Sequence, residues 1–115
     1  MPDKPKVQRL HSIGVQRISD ERMRQILQEG FTAEHDDTHA EGELMAAATC
    51  YMMAYQRGIE GANAQDLREL ILDLEWPWDP HWWKPSPNPI RNLEISGALV
   101  AAEIDRLLRL KEKEM

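Results

Sequence analysis

The chain has 115 residues and a mass of 13.3 kDa, enough for one domain with a modest hydrophobic core. Its 42% hydrophobic and 30% charged residues are ordinary for a soluble globular protein, and its net charge of −6 argues against duplex nucleic acid as a partner. No apolar run approaches the ~20 residues of a membrane span, the N-terminus lacks an apolar signal region, and the single Cys50 excludes an internal disulfide. We therefore expect a cytoplasmic protein without a membrane partner.

The charge is distributed unevenly along the chain. Residues 1–17 carry Lys4, Lys6, Arg9 and Arg17 against Asp3, which leaves a net charge of about −9 on the rest of the chain. We predict a basic N-terminal extension over 1–17 and a single helical domain over 18–112.

Local signals predict four helices in that domain. The first covers 20–29, with Ser19 as N-cap, Gly30 after its end, and Ile18 and Met23 as a hydrophobic staple. A loop over 31–39 precedes a second helix over 40–57. A third covers 64–75 with Asn63 as N-cap, and a last one covers 90–112. Five prolines make the segment over 76–89 irregular.

Apolar residues recur with helical spacing in these segments, and none alternates with the period of a strand. The predicted fold is all-α, a small four-helix bundle with a Trp/Pro-rich irregular segment before the last helix. The small side chains of Ala46–Ala48 and of Gly97, Ala98, Ala101 and Ala102 predict that the second and last helices form the central pair. Both helices are long enough to support a homodimer as well. The predicted buried face of the last helix comprises Leu93, Gly97, Val100, Ala101, Ile104, Leu107 and Leu108.

Residues 34–43, which we call the acidic-histidine segment, hold five carboxylates and two histidines without any Lys or Arg. Such crowding of like charges is compensated by a divalent cation, and Mg, Mn or Zn suits these donors. The candidate metal ligands are His35, Asp36, Asp37, His39 and Glu43. The spacing matches no standard metal motif. Two alternatives stay open. In the first, the acidic side chains stabilise the N-terminus of the next helix through its dipole, and Asp37 or Thr38 caps that helix. In the second, the acidic side chains hydrogen-bond a ligand directly.

Residues 76–89, which we call the tryptophan-proline segment, contain all four tryptophans. Indole rings can stack on nucleobases, and nearby lysine or arginine side chains can bind phosphates. Prolines restrict the backbone, which would keep these aromatic rings in one arrangement before a ligand binds. The candidate ligand-binding residues are Trp76, Trp78, His81, Trp82, Trp83, Lys84 and Arg91. The alternative is that these aromatic rings only cover the open end of the core.

The two segments together resemble a family of small phage and prophage proteins. The matching strings are Gln28-Glu29-Gly30-Phe31-Thr32, Glu34-His35-Asp36-Asp37-x-His39, Gly42-Glu43-Leu44, Trp76-Pro77-Trp78-Asp79, Trp82-Trp83-Lys84-Pro85 and Gly97-Ala98-Leu99-x-x-Ala102-Glu103-Ile104. The resemblance covers about residues 18–110. It implies a role in the cytoplasm of a host cell but no particular chemistry.

Two remoter resemblances concern the ligand. The order of Glu29, Gly30, Phe31, Asp36, Asp37 and His39 is similar to the repeat domain first seen in ryanodine receptors, whose prokaryotic versions are associated with nucleotide-type ligands. The chain also resembles all-α nucleotide pyrophosphohydrolases of the MazG type, which bind Mg through Glu-x-x-Glu and Glu-x-x-Asp. Here Glu41 and Glu43 are two residues apart, and so are Glu103 and Asp105, which departs from that pattern.

Three functions follow as hypotheses. The first is a binding module that holds a nucleotide or another small anionic ligand and sequesters a host defence signal. The second is a metal-dependent hydrolase acting on a phosphoanhydride or phosphodiester. The third is a protein-interaction factor that targets a host protein through its tryptophan face.

Overall fold

A computed structural model of the chain describes residues 12–114, and all regular structure in that range is helical. The helices are α1 (Ile13–Gln28), α2 (Ala33–Asp37), α3 (Glu43–Ile59), α4 (Ala64–Glu69) and α5 (Pro89–Lys113). Two 3-10 turns cover Leu70–Asp73 and Pro80–Trp82. The all-α prediction is confirmed for the described residues, in which three helices are long and two are short. None of the helices between residues 12 and 114 combines the length and apolar character needed to cross a membrane.

The first helix starts earlier than predicted. The hydroxyl oxygen of Ser12 accepts a hydrogen bond from the backbone N–H of Val15, so α1 begins at Ile13 and Ser19 lies inside it. Ser19 is an equally good capping residue by type, and nothing between residues 13 and 19 stops a helix. The predicted extension over 1–17 therefore overlaps α1, and its first eleven residues lie outside the described part of the chain.

The predicted loop over 31–39 contains α2. The Thr32 hydroxyl caps this short helix by accepting from the backbone N–H of His35. The next helix begins at Glu43 instead of residue 40, because Gly42 precedes it with a φ of +85°, which ends the preceding turn. Neither Asp37 nor Thr38 caps it. The predicted third helix is α-helical only to Glu69, but its Asn63 cap is confirmed. The boundaries of the last helix are also confirmed to within one residue at each end.

Helix α5 is the centre of the fold and packs against both α1 and α3. Ala47 and Ala48 of α3 and Ala98 and Ala102 of α5 are at most 1% exposed, and the predicted central pair is confirmed. On the α1 side, a Cβ added to Gly97 would lie 2.7 Å from Cδ1 of Ile18. The small residues therefore allow close packing of both helices against α5.

The predicted buried face of α5 is partly wrong. Leu93, Ile104, Leu107 and Leu108 are between 41% and 54% exposed. Polar residues are buried instead, namely Asn92, Glu94, Ser96, Glu103 and Arg106. They are buried because each has a polar partner, which offsets the cost of removing it from water.

A buried ion pair attaches α2 to α1. The Asp36 carboxylate is completely buried, and Nη2 of Arg22 lies 3.0 Å from its Oδ2. Arg109 of α5 reaches the other face of α2, with Nη2 2.9 Å from Oδ1 of Asp37. Both neighbouring acids of the acidic-histidine segment are therefore bound to arginines from other helices, Asp36 to the preceding helix α1 and Asp37 to the distant α5.

We predict that Arg22→Met lowers the free energy of unfolding by about 3–5 kcal/mol, because it leaves a buried carboxylate without a cation. Chemical denaturation measures this change. The double variant Arg22→Met/Asp36→Leu removes both charges and should recover most of the loss. A double variant that is no more stable than Arg22→Met would contradict the assigned role of this pair.

Candidate ligand-binding site

A cavity of about 870 Å³ lies between α1, the acidic-histidine segment, the tryptophan-proline segment and the start of α5. This volume is within the range of small-molecule sites, about 300–1,000 Å³. Seven of the predicted site residues line it: His35, His39, Trp76, Trp78, Trp82, Lys84 and Arg91. The fold thus brings together two segments that the sequence suggested separately.

Aromatic rings form one wall of the cavity. Trp76 and Trp78 pack edge to face with their ring centroids 5.5 Å apart, and Trp78 lies 5.2 Å from the ring of His39. Phe31 stacks on His35 at 4.6 Å with an interplanar angle of 13°. This wall offers faces and edges on which a planar ligand can stack.

Two predicted ligand-binding residues lie elsewhere. Trp83 is only 6% exposed, and its indole N–H donates to the backbone oxygen of Leu67 at 3.1 Å, so it is part of the hydrophobic core. His81 packs on the exposed ring of Trp82, outside the cavity lining. Covering the core, the alternative for the whole segment, therefore applies to Trp83, and the partly buried Trp76 and Trp78 also pack against the core.

Residues from α3 and α5 hold the tryptophan-proline segment in place. The buried Asn92 accepts from the backbone N–H of Ser86 and donates to the backbone oxygen of the same residue, both at 2.8 Å. The phenol oxygen of Tyr51 accepts from the backbone N–H of Lys84 at 3.3 Å. Sequence reasoning missed both positioning residues. The signal for Asn92 was a polar residue inside the apolar pattern of a helix.

A buried carboxylate organises the cationic side of the cavity. Glu21 is 3% exposed and receives Arg24 Nε and Arg91 Nη2, each at 2.7 Å. Burial raises the pKa of Glu21, but the hydrogen bonds and charges of the two arginines outweigh burial and lower its pKa overall. The pKa of Arg24 is raised by its hydrogen bond to Glu21. Both guanidinium groups are therefore fixed in orientation before any ligand arrives.

Two polar atoms of cavity-lining residues are buried without a hydrogen-bond partner among residues 12–114. They are the side-chain oxygen of Gln25 and the indole nitrogen of Trp78. Leaving an acceptor or a donor unpaired in this way costs about 1–3 kcal/mol each. Both atoms are closed off from solvent, so a molecule in the cavity would reach them only after neighbouring side chains move. Nothing in the sequence pattern indicated Gln25.

The five predicted metal ligands do not form one cluster. Within residues 12–114, no group of three or more His, Cys, Asp or Glu side chains is placed to hold a metal ion. Asp36 is bound to Arg22, and Arg109 lowers the pKa of Asp37 through a hydrogen bond. His39 Nδ1 lies 3.1 Å from Oε2 of Glu43.

No protein-family model, no curated protein and no solved structure matches the chain. The similarity to phage and prophage proteins stays a prediction from the sequence.

We predict that Asn92→Ala lowers the free energy of unfolding by about 2–4 kcal/mol, since it leaves the backbone N–H and oxygen of Ser86 without their partner. Thermal and chemical denaturation measure this. Asn88→Ala, which removes a cap at the exposed start of α5, is the control and should cost about 1 kcal/mol. Equal losses in the two variants would argue against a special role for Asn92.

We also predict a loss of stability at alkaline pH that depends on Tyr51. Burial raises the pKa of Tyr51 from 10.0 to about 12. The folded state then holds the phenol proton more tightly than the unfolded state, so this contribution is complete below pH 10 and disappears as the pH approaches 12. Denaturation across this range should give a steeper decline for the natural chain than for Tyr51→Phe. Identical slopes would refute the prediction.

Proposed function

We propose that the protein is a binding module whose cavity holds a nucleotide or a similar small anionic ligand with an aromatic ring. One observation carries this proposal: the tryptophan-proline and acidic-histidine segments line the same cavity as the fixed arginines Arg24 and Arg91. Stacking surfaces and cations thus lie within reach of one small molecule.

The aromatic wall supports a ring on the ligand. Base stacking on an aromatic side chain contributes about 1–3 kcal/mol per base.

The cations support a phosphate. Arg91 has a side chain that is 32% exposed, and Lys84 lies with its ammonium group 5.8 Å from the ring centroid of Trp82. A ligand whose ring stacks on Trp82 would place its charged group near Lys84. Glu21 already neutralises part of the arginine charge, which favours a ligand with few negative charges over a long polyanion.

The biological setting of the proposal comes from the sequence. The resemblance to phage and prophage proteins supports a chain that acts in the host cytoplasm and sequesters a defence signal. The small four-helix bundle and a homodimer are also parts of this proposal. A host protein bound through the tryptophan face and a metal-dependent hydrolase are the alternatives.

One incubation series tests these functions. The full chain is mixed with a panel of linear and cyclic nucleotides, with Mg or Mn, and each nucleotide is quantified before and after heat denaturation. A nucleotide that leaves the free pool and returns intact supports the binding module. Conversion to a product favours the hydrolase. If every nucleotide stays free and intact, the proposal is wrong and the host-protein alternative takes its place.

We predict that Trp82→Ala and Lys84→Gln each weaken nucleotide binding about tenfold or more, through lost stacking and lost charge attraction respectively. Both side chains are exposed, so the thermal melting curve should be unchanged. Lys111→Gln on α5 removes an exposed lysine away from the cavity and should bind like the natural chain. Calorimetric titration measures all three, and normal affinity in both cavity variants would contradict the site.

A further inference from the structure

Two histidines on the wall of the cavity have their ring nitrogens close together. Nε2 of His35 lies 3.4 Å from Nε2 of His39. Each ring is also held at its other nitrogen by a carboxylate, at 3.0 Å from Asp36 for His35 and at 3.1 Å from Glu43 for His39. The pair is thus fixed at both ends.

These contacts determine which nitrogens carry hydrogen. An ionised carboxylate only accepts hydrogen bonds, so Nδ1 of each ring is the protonated nitrogen. In the neutral rings both Nε2 atoms then carry a lone pair and neither carries hydrogen, so they cannot hydrogen-bond to each other. The separation of 3.4 Å is also longer than the roughly 2.7–3.2 Å of a good hydrogen bond. A positive species that both lone pairs reach would give each nitrogen a partner.

We propose that His35 and His39 form a two-histidine site for a tetrahedral divalent metal ion, with zinc as the best fit. Zinc binds histidine nitrogen at about 2.0–2.1 Å, and two ligands at the tetrahedral angle then lie about 3.3 Å apart. Neighbouring nitrogens of an octahedral site with similar bond lengths would lie about 3.0 Å apart. The observed separation agrees with the tetrahedral value.

The surroundings of the pair are those of metal-binding histidines. In such sites the nitrogen that does not bind the metal donates to a carboxylate, which fixes the ring and raises its basicity. Asp36 and Glu43 supply these carboxylates, which gives the acidic-histidine segment a different role from that of five direct ligands. Phe31 against His35 and Trp78 against His39 restrict both rings further.

The remaining positions of the metal would face the cavity. Two protein donors leave two tetrahedral positions for water or for an oxygen of a bound molecule. Only this last step rests on the proposed function, because the histidine pair is present with or without a nucleotide. Two nitrogen donors also predict weaker binding than in a structural zinc site with four protein ligands.

Titration of the full chain with Zn²⁺ alone, in competition with a chromophoric chelator, tests the site. We expect the natural chain to bind one Zn²⁺ ion. The affinity for Zn²⁺ should fall at least tenfold in His35→Gln and in His39→Gln. His81→Gln, which changes a histidine outside the cavity lining, is the matched control and should keep the affinity. Melting curves of all variants check that the fold is intact. Zn²⁺ bound equally well by the cavity variants, or not bound at all, overturns the proposal.

Two further measurements sharpen the test. Co²⁺ in place of Zn²⁺ should give the intense visible absorption of a tetrahedral site, whereas the weak absorption of an octahedral site would contradict the geometry.

Glu43→Gln keeps an acceptor for Nδ1 of His39 but loses the negative charge, and it should weaken Zn²⁺ binding about 10- to 100-fold. An unchanged affinity would remove Glu43 from the site.

The failure of this proposal can be separated from that of the proposed function. Nucleotide binding is repeated with a chelator present. A chain that binds a nucleotide but no Zn²⁺ overturns the metal site and leaves the binding module intact. A chain that binds Zn²⁺ but no nucleotide supports the metal site and overturns the binding module.

Discussion

The ion pair between Arg22 and Asp36 determines the geometry of the candidate site. A completely buried carboxylate is tolerated only with a well-placed cation, and Arg22 provides it from α1. The same carboxylate holds Nδ1 of His35. One buried charge therefore attaches α2 to the domain and orients a histidine of the cavity lining. His39 follows the end of α2, where its backbone N–H donates to the backbone oxygen of Asp36 at 3.0 Å.

The tryptophan-proline segment contributes both to the hydrophobic core and to the cavity wall. Trp83 and Leu67 belong to the core, where the indole N–H has a backbone partner. Trp78 and Gln25 line the cavity and each keeps a buried polar atom without a partner among the described residues. Such unpaired groups lower the free energy of unfolding. The neighbouring tryptophans thus have different roles although the sequence presents them together.

The two proposals assign complementary roles to the two sides of the cavity. Glu21 fixes Arg24 and Arg91 on one side, where an anionic group would lie. The His35 and His39 pair lies on the other side beside the aromatic wall. A ligand with a ring, a phosphate and an oxygen donor could contact every part, and the separate tests with nucleotide and Zn²⁺ show which contacts are used.

Local chemistry in the sequence was enough to determine the helical class, the Asn63 cap, the limits of the last helix and the irregular tryptophan-proline segment, because each depends on neighbouring residues. It also singled out seven of the residues that line the cavity. Only the tertiary structure decided which face of α5 is buried, that Trp83 joins the core, and that arginines neutralise Asp36 and Asp37. Trp83 and Asp37 have their partners, Leu67 and Arg109, in other parts of the sequence, and residue spacing carries no information about such pairs. The charged pairs Arg91–Glu94 and Glu103–Arg106 are local, but only their packing in the tertiary structure decides that they are buried.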